Sequence, residues 1–222
     1  GDETRARALL QEWRHLDASE LPRTELLRHI IEHALLAAHR HVFGVFFWFV
    51  LGSALGLGPA GAVFYRMAEF SSRYWSYKSH VLAAPTNQRL MQSAQQAFAW
   101  IDRVPARLTA AGFAVVGNFE DAIDCWRQQA RLWKQDNDGV LLAAAAGAVG
   151  IALGGQSAPE MAPDRSRRFD HGALPGDATA EGSTPGAPPQ IGHLRSVVGL
   201  VWRSMVLWML LLALLSLANL LG

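Results

Sequence analysis

Residues Val42 to Tyr65 read VFGVFFWFVLGSALGLGPAGAVFY, 24 positions without a charged side chain. About 20 apolar residues carry a helix across the ~30 Å hydrocarbon core of a bilayer, so the stretch reads as a membrane span. Its halves differ. Phe43, Phe46, Phe47, Trp48 and Phe49 make the first bulky, whereas the second is Gly-rich and contains Pro59. Proline removes a helical hydrogen bond, and glycine opens conformations other residues avoid. A kink or break is therefore expected between Gly56 and Gly61. Interrupted backbone at membrane depth survives only where protein or a polar cavity surrounds it, which makes this half the better functional candidate.

Working outward, residues 1–41 read as amphipathic helices. Leu9, Leu10, Trp13 and Leu16 recur at helical spacing in the first. A second starts near Pro22 and runs through Leu26, Leu27, Ile30, Ile31 and Leu35, with Arg23, Glu25, Arg28, Glu32 and Arg40 on its polar face. Residues 66–138 read as polar and interfacial helices. They include an amphipathic helix over 88–101, a short apolar segment over 108–119 and a mixed helix over 120–137, with Tyr74, Trp75 and Tyr77 at headgroup level. The small residues of 139–155, GVLLAAAAGAVGIALGG, allow close helix approach, in a re-entrant or spanning helix. Pro, Gly, Ala, Ser and Thr dominate 156–192, which reads as a disordered loop. Residues 193–222 close the chain as a transmembrane helix. Arg195 and Arg203 before its Leu-rich part place its N-terminal end in the cytoplasm. The first span has basic residues on both flanks and is not oriented by this rule. The chain starts Gly1-Asp2-Glu3 rather than with Met, so an N-terminal truncation is expected. The expected fold is all-α: an integral, multi-pass protein of a bacterial inner membrane, with interfacial amphipathic helices and the lipid bilayer as its surroundings.

Composition agrees. Half of the residues are hydrophobic and 18% charged, against about a quarter charged in ordinary soluble domains. A net charge of +1 gives no global field for nucleic acid. The single cysteine, Cys125, excludes an intrachain disulfide and reads as a packed small residue. His29-Ile30-Ile31-Glu32-His33 matches an inverted zinc-peptidase pattern, but no third ligand is indicated. It reads as the polar face of a helix, and no metal site is expected. His39-Arg40-His41 reads as a cationic cap on the first span. Gly58-Pro59-Ala60-Gly61 lacks the spacing of a phosphate loop. Arg66, Lys78, Arg103 and Arg107 suit either anion binding or anchoring of helix ends at a membrane surface.

Three segments carry a resemblance: Gly58-Pro59-Ala60-Gly61-Ala62-Val63-Phe64-Tyr65-Arg66, Val104-Pro105-Ala106-Arg107-Leu108-Thr109-Ala110 and Gly199-Leu200-Val201-Trp202-Arg203. In order and spacing they resemble the CobD/CbiB family of membrane proteins of cobalamin biosynthesis, and in outline the AmpE-type membrane proteins. The phrase from His39 to Trp48 is similar to a proteobacterial branch of that family. The enzymes of the family join adenosylcobyric acid to an aminopropanol or its phosphate, an amide ligation for which the resemblance implies ATP and Mg. It also implies a substrate site at Arg66, Tyr77, Lys78, Asp102 and Arg107. Departures from the family pattern are specific. A Gly-Tyr-Lys motif reads Ser76-Tyr77-Lys78, an acid before it is Ser72, and an Asp-Asp pair falls on Phe98 and Ala99, with Asp102 nearby. Missing acids favour a non-catalytic, AmpE-like protein with a signalling or envelope role and a membrane-protein partner. The alternative is an adenosylcobinamide-phosphate synthase-type enzyme with a corrinoid substrate.

Overall fold

A computed structural model of the chain describes residues 22–80, 88–133, 135–154 and 183–221, with side chains at 75–80 and 219–221 left out. The expected helix over 3–16 lies outside the described residues, as does most of the 156–192 loop. Among the described residues the fold is all-α, with only two isolated β-bridges.

Helix α1 (Arg23–Ala38) runs through a π-helical turn at His39–Phe43 into α2 (Gly44–Ala54). Its interior face holds Leu26, Leu27, Ile31, Leu35 and Leu36. After a turn, α3 (Ala60–His80) follows, then α4 (Gln88–Val116). Helix α5 (Phe119–Gln129) starts at Asn118, whose side chain accepts a hydrogen bond from the Asp121 amide, and passes into a 3-10 turn at Ala130–Leu132. Helix α6 (Asp136–Val149) and the terminal α7 (Ile191–Leu221) complete the fold.

The stretch 42–65 is not one interrupted span. The break falls at the expected place, between Ala54 and Ala60, but there the chain reverses. A Cβ on Gly61 would lie 2.1 Å from the Trp48 carbonyl oxygen, and one on Gly52 2.9 Å from that of Gly58. At the other end, Gly44 faces the Tyr65 ring. Helices α2 and α3 thus form an antiparallel hairpin, held close by glycines. The turn needs Gly56 and Gly58 at φ +77° and +58°, a region that penalises side chains.

The amphipathic helix expected over 88–101 and the short apolar segment 108–119 are largely one helix, α4, which continues through Pro105. Proline there deprives the Ile101 carbonyl of its helical donor; the Trp48 indole N–H donates to that carbonyl at 3.3 Å. The mixed helix expected over 120–137 instead ends at Gln129, and a new helix starts at Asp136.

Helix α6 is the centre of the molecule. Residues 138–147 are all buried, as suits a helix with no polar face. Its 14 residues span about 21 Å, short of a bilayer. It packs against α4 and α5, with Gly147 on the Asp121 backbone and Gly139 on Ala130 and Trp133. Helix α6 ends at Gly150, φ +77°. Residues 151–154 then run beside 183–187, through Ala152 N–H to the Ala187 carbonyl at 2.9 Å and Thr184 N–H to the Leu153 carbonyl at 2.9 Å. The end of the 156–192 segment is therefore ordered against the core, unlike the disorder expected of it.

Among the described residues, two continuous helical stretches are long and apolar enough to cross a membrane: Arg23–Ala54 and Ile191–Ala218. On the second, Val197, Leu200 and Ser204 are buried against the core, while Met209, Leu210, Leu211, Leu214, Leu215 and Leu217 are exposed.

Candidate functional site

Three consecutive residues of the π-helical turn reach three different helices. Such wide turns frequently mark functional sites. His39 and Arg40 are buried, so the sequence expectation of a cationic cap at a membrane surface does not hold for them. His39 turns to α4, Arg40 to α6 and His41 to α3.

His39 Nε2 lies 2.9 Å from Asp102 Oδ1 and Nδ1 lies 3.0 Å from Thr109 Oγ1. The Tyr65 hydroxyl donates to the same Asp102 Oδ1 at 2.8 Å. Thr109 donates to the Pro105 carbonyl at 2.9 Å. The Asn137 amide approaches Asp102 Oδ2 at 3.5 Å and donates to the Ala99 carbonyl at 2.8 Å. Burial pushes the Asp102 carboxyl up. The facing His39 and the hydrogen bonds from His39 and Tyr65 outweigh burial and hold it below the usual carboxylate range.

The order Asp102–His39–Thr109 has the connectivity of a nucleophilic triad. Its placement does not: Asp102 is 2% exposed, His39 1% and Thr109 0%. It is a buried polar staple that locks the π-helical turn onto α4. Beside it, Arg40 donates to Asp138 Oδ2 at 2.7 Å, both side chains being buried, and this ties the same turn to the start of α6.

Of the five expected site residues, Asp102 and Arg107 are brought into one region, both facing the first turn of α6. Arg107 donates to Asp136 Oδ2 at 2.9 Å and to Asn137 Oδ1 at 3.3 Å. Arg66 belongs to a separate cluster on α3, donating to Glu69 Oε2 at 2.6 Å and to His41 Nδ1 at 2.7 Å, while Arg73 holds the other Glu69 oxygen at 3.2 Å. Tyr77 and Lys78 fall in the last turns of α3, and their side chains lie outside the described residues. Arg103 stacks over Trp100 at 5.3 Å. The positions of the missing acids are filled. Phe98 packs on the Tyr65 ring at 5.6 Å between centroids, and Ser72 donates to the Glu69 carbonyl.

Sequence reasoning missed His39, Tyr65, Glu69, Thr109 and Asn137. Tyr65 and Thr109 lie within two of the quoted motifs, a signal that could have marked them; Asn137 carried none. The zinc-peptidase pattern is spent on structure: Glu32 Oε1 accepts the Gly154 amide at 2.9 Å, and Arg28 donates to the Gly154 carbonyl. Cys125 is buried, and its thiol is pushed up by burial and by Asp121 and Asp124, which suits packing.

Magnesium requires accessible carboxylate oxygens. Both oxygens of Asp102 face protein donors inside the core, and Glu69 is clasped by two arginines. These two carboxylates do not fit a magnesium site.

The family model described as CobD/Cbib protein matches residues 1–173. The chain belongs to the CobD/CbiB family. A cobalamin biosynthesis protein CobD of Stutzerimonas stutzeri is 32% identical over 196 residues, covering 88% of this chain and 57% of that protein. A protein of the same description from Chromobacterium violaceum is 36% identical over 142 residues, covering 63% of this chain and 41% of its own length. The chain thus spans about half the length of the curated CobD relatives it matches. No solved structure matches. Both CobD relatives carry a cobalamin-biosynthesis description.

Proposed function

We propose that this chain is part of a multi-pass inner-membrane enzyme of cobalamin biosynthesis, of the adenosylcobinamide-phosphate synthase type. The observation that carries the reading is the join of two of the CobD/CbiB motifs: Tyr65, in the Gly-Pro segment, donates to Asp102, just before the Pro-Ala-Arg-Leu-Thr segment. Such a join supports a preserved family scaffold with Arg107 presented at its edge. Amide formation by attack of an aminopropanol amine on an activated corrinoid carboxyl develops negative charge on oxygen, which cationic donors stabilise. Arg107 and Lys78 are the groups proposed for that task, with Arg66 holding an anionic substituent. Asp102 acts as a positioning residue, since no substrate reaches it. The α7 face of exposed leucines and the long α1–α2 stretch suit contact with lipid.

The test is rescue, by the full-length protein, of a bacterial strain lacking its own synthase. Growth without added cobinamide is expected, and Lys78→Ala should abolish it. Failure of a correctly inserted, full-length protein to rescue overturns the synthase reading. Phe98 in place of an acid then favours the non-catalytic, AmpE-like reading.

A further inference from the structure

Beside the staple, a cavity of about 430 Å³ opens between α4, α5, the 3-10 turn and the first turn of α6. Arg107, Arg127 and Arg131 line it together with Trp126, Val140 and Asp136. Its size is that of a small-molecule site. Three guanidinium groups against one carboxylate make it cationic, and the sole acid is engaged by Arg107.

Arg127 and Arg131 stand one helical turn apart, both exposed. Elsewhere near the site, four arginines have carboxylate partners, Arg40 with Asp138, Arg66 and Arg73 with Glu69, and Arg107 with Asp136, while Arg103 stacks over Trp100. Arg127 and Arg131 have no carboxylate partner among the described residues. Guanidinium forks match tetrahedral oxyanions, which offer several acceptors at once, and Trp126 adds a flat apolar wall.

We propose that this cleft binds a phosphate group, with Arg127 and Arg131 as its principal donors and Arg107 released to it from Asp136. The phosphate could come from a soluble phosphate ester or from an anionic lipid headgroup. The inference shares Arg107 with the synthase reading but does not require it, because an anion can be held here whether or not an amide is made.

The experiment titrates inorganic pyrophosphate into full-length protein in phosphatidylcholine nanodiscs, by calorimetry. Saturable binding is expected, weakened at least tenfold by Arg127→Gln with Arg131→Gln. Both side chains are exposed, so the variant should fold, which circular dichroism checks; the double Lys variant, keeping charge without the fork, should fall between. Repeating the titration in phosphatidylglycerol nanodiscs separates the sources. Lower pyrophosphate affinity in the parent but not in the double Gln variant identifies the lipid headgroup as a competitor, whereas unchanged affinity identifies a soluble ligand. No saturable binding, or equal affinity in the parent and the double Gln variant, overturns the proposal. Binding without rescue of the synthase-deficient strain would sink the synthase reading alone; rescue without binding would sink this inference alone.

Discussion

Asp102 shows what a buried acid can and cannot do in this protein. Its oxygens face His39, Tyr65 and Asn137, so its role is to hold three segments together. Removing one member of a buried pair leaves the other charge uncompensated, at about 3–5 kcal/mol. Asp102→Ala should lower stability by about that amount, read from the unfolding midpoint in detergent; a change under about 1 kcal/mol would refute the staple. The pH dependence has a definite sign. A carboxyl held below its unfolded value of about 3.9 stabilises the fold above that pH, and the contribution is lost as pH falls through the folded value. The parent should therefore lose more stability than Asp102→Asn does as pH falls below about 4; parallel acid profiles would count against the pairing. Trp48 offers a second check. Trp48→Phe leaves the Ile101 carbonyl without its indole donor, at a cost of about 1–3 kcal/mol in the same assay.

Helices α2 and α3 make a hairpin because glycine removes the atoms that would keep them apart. A methyl group at Gly61 would meet the Trp48 backbone, whereas one at Gly58 would meet nothing within 4 Å and offend only the positive φ. The two substitutions should therefore differ in kind. Gly61→Ala should push the helices apart, lengthening the distance between spin labels on α2 and α3. Gly58→Ala should leave that distance unchanged and cost about 1–2 kcal/mol in strain. Equal distances in both variants would refute the close packing. Helix α4 makes the same point about elements: Pro105 marks an ending when read locally, yet the helix continues because a side chain of α2 satisfies the orphaned carbonyl.

At the scale of the molecule, the buried end of α7 is docked on the core and its far end is an exposed sleeve of leucine and methionine. An apolar surface of that kind is stable in lipid and not in water. Full-length protein should remain with the membrane fraction after an alkaline wash. Leu211→Arg, at mid-sleeve, should cost about 2.5–3.5 kcal/mol of insertion, seen as a fall in the membrane-bound fraction. Release of the unmodified protein into the supernatant would contradict the membrane reading.

Composition and run length alone determined that the chain is helical, where its backbone breaks near Gly56–Gly61, and that its last helix is apolar enough to cross a bilayer. These are local properties, set by hydrophobic burial and backbone sterics within a few turns. Neighbouring motif residues likewise pointed to Asp102 and Arg107. Tertiary structure alone decided that the break at Gly56–Gly61 reverses the chain, because a turn's direction depends on what its helices pack against. It alone brought His39 to Asp102 across 63 residues and Asn137 to Asp102 across 35. A hydrogen bond between side chains so far apart leaves no periodicity in the chain that makes it; only packing around α6 brings those groups within 3.5 Å of one another.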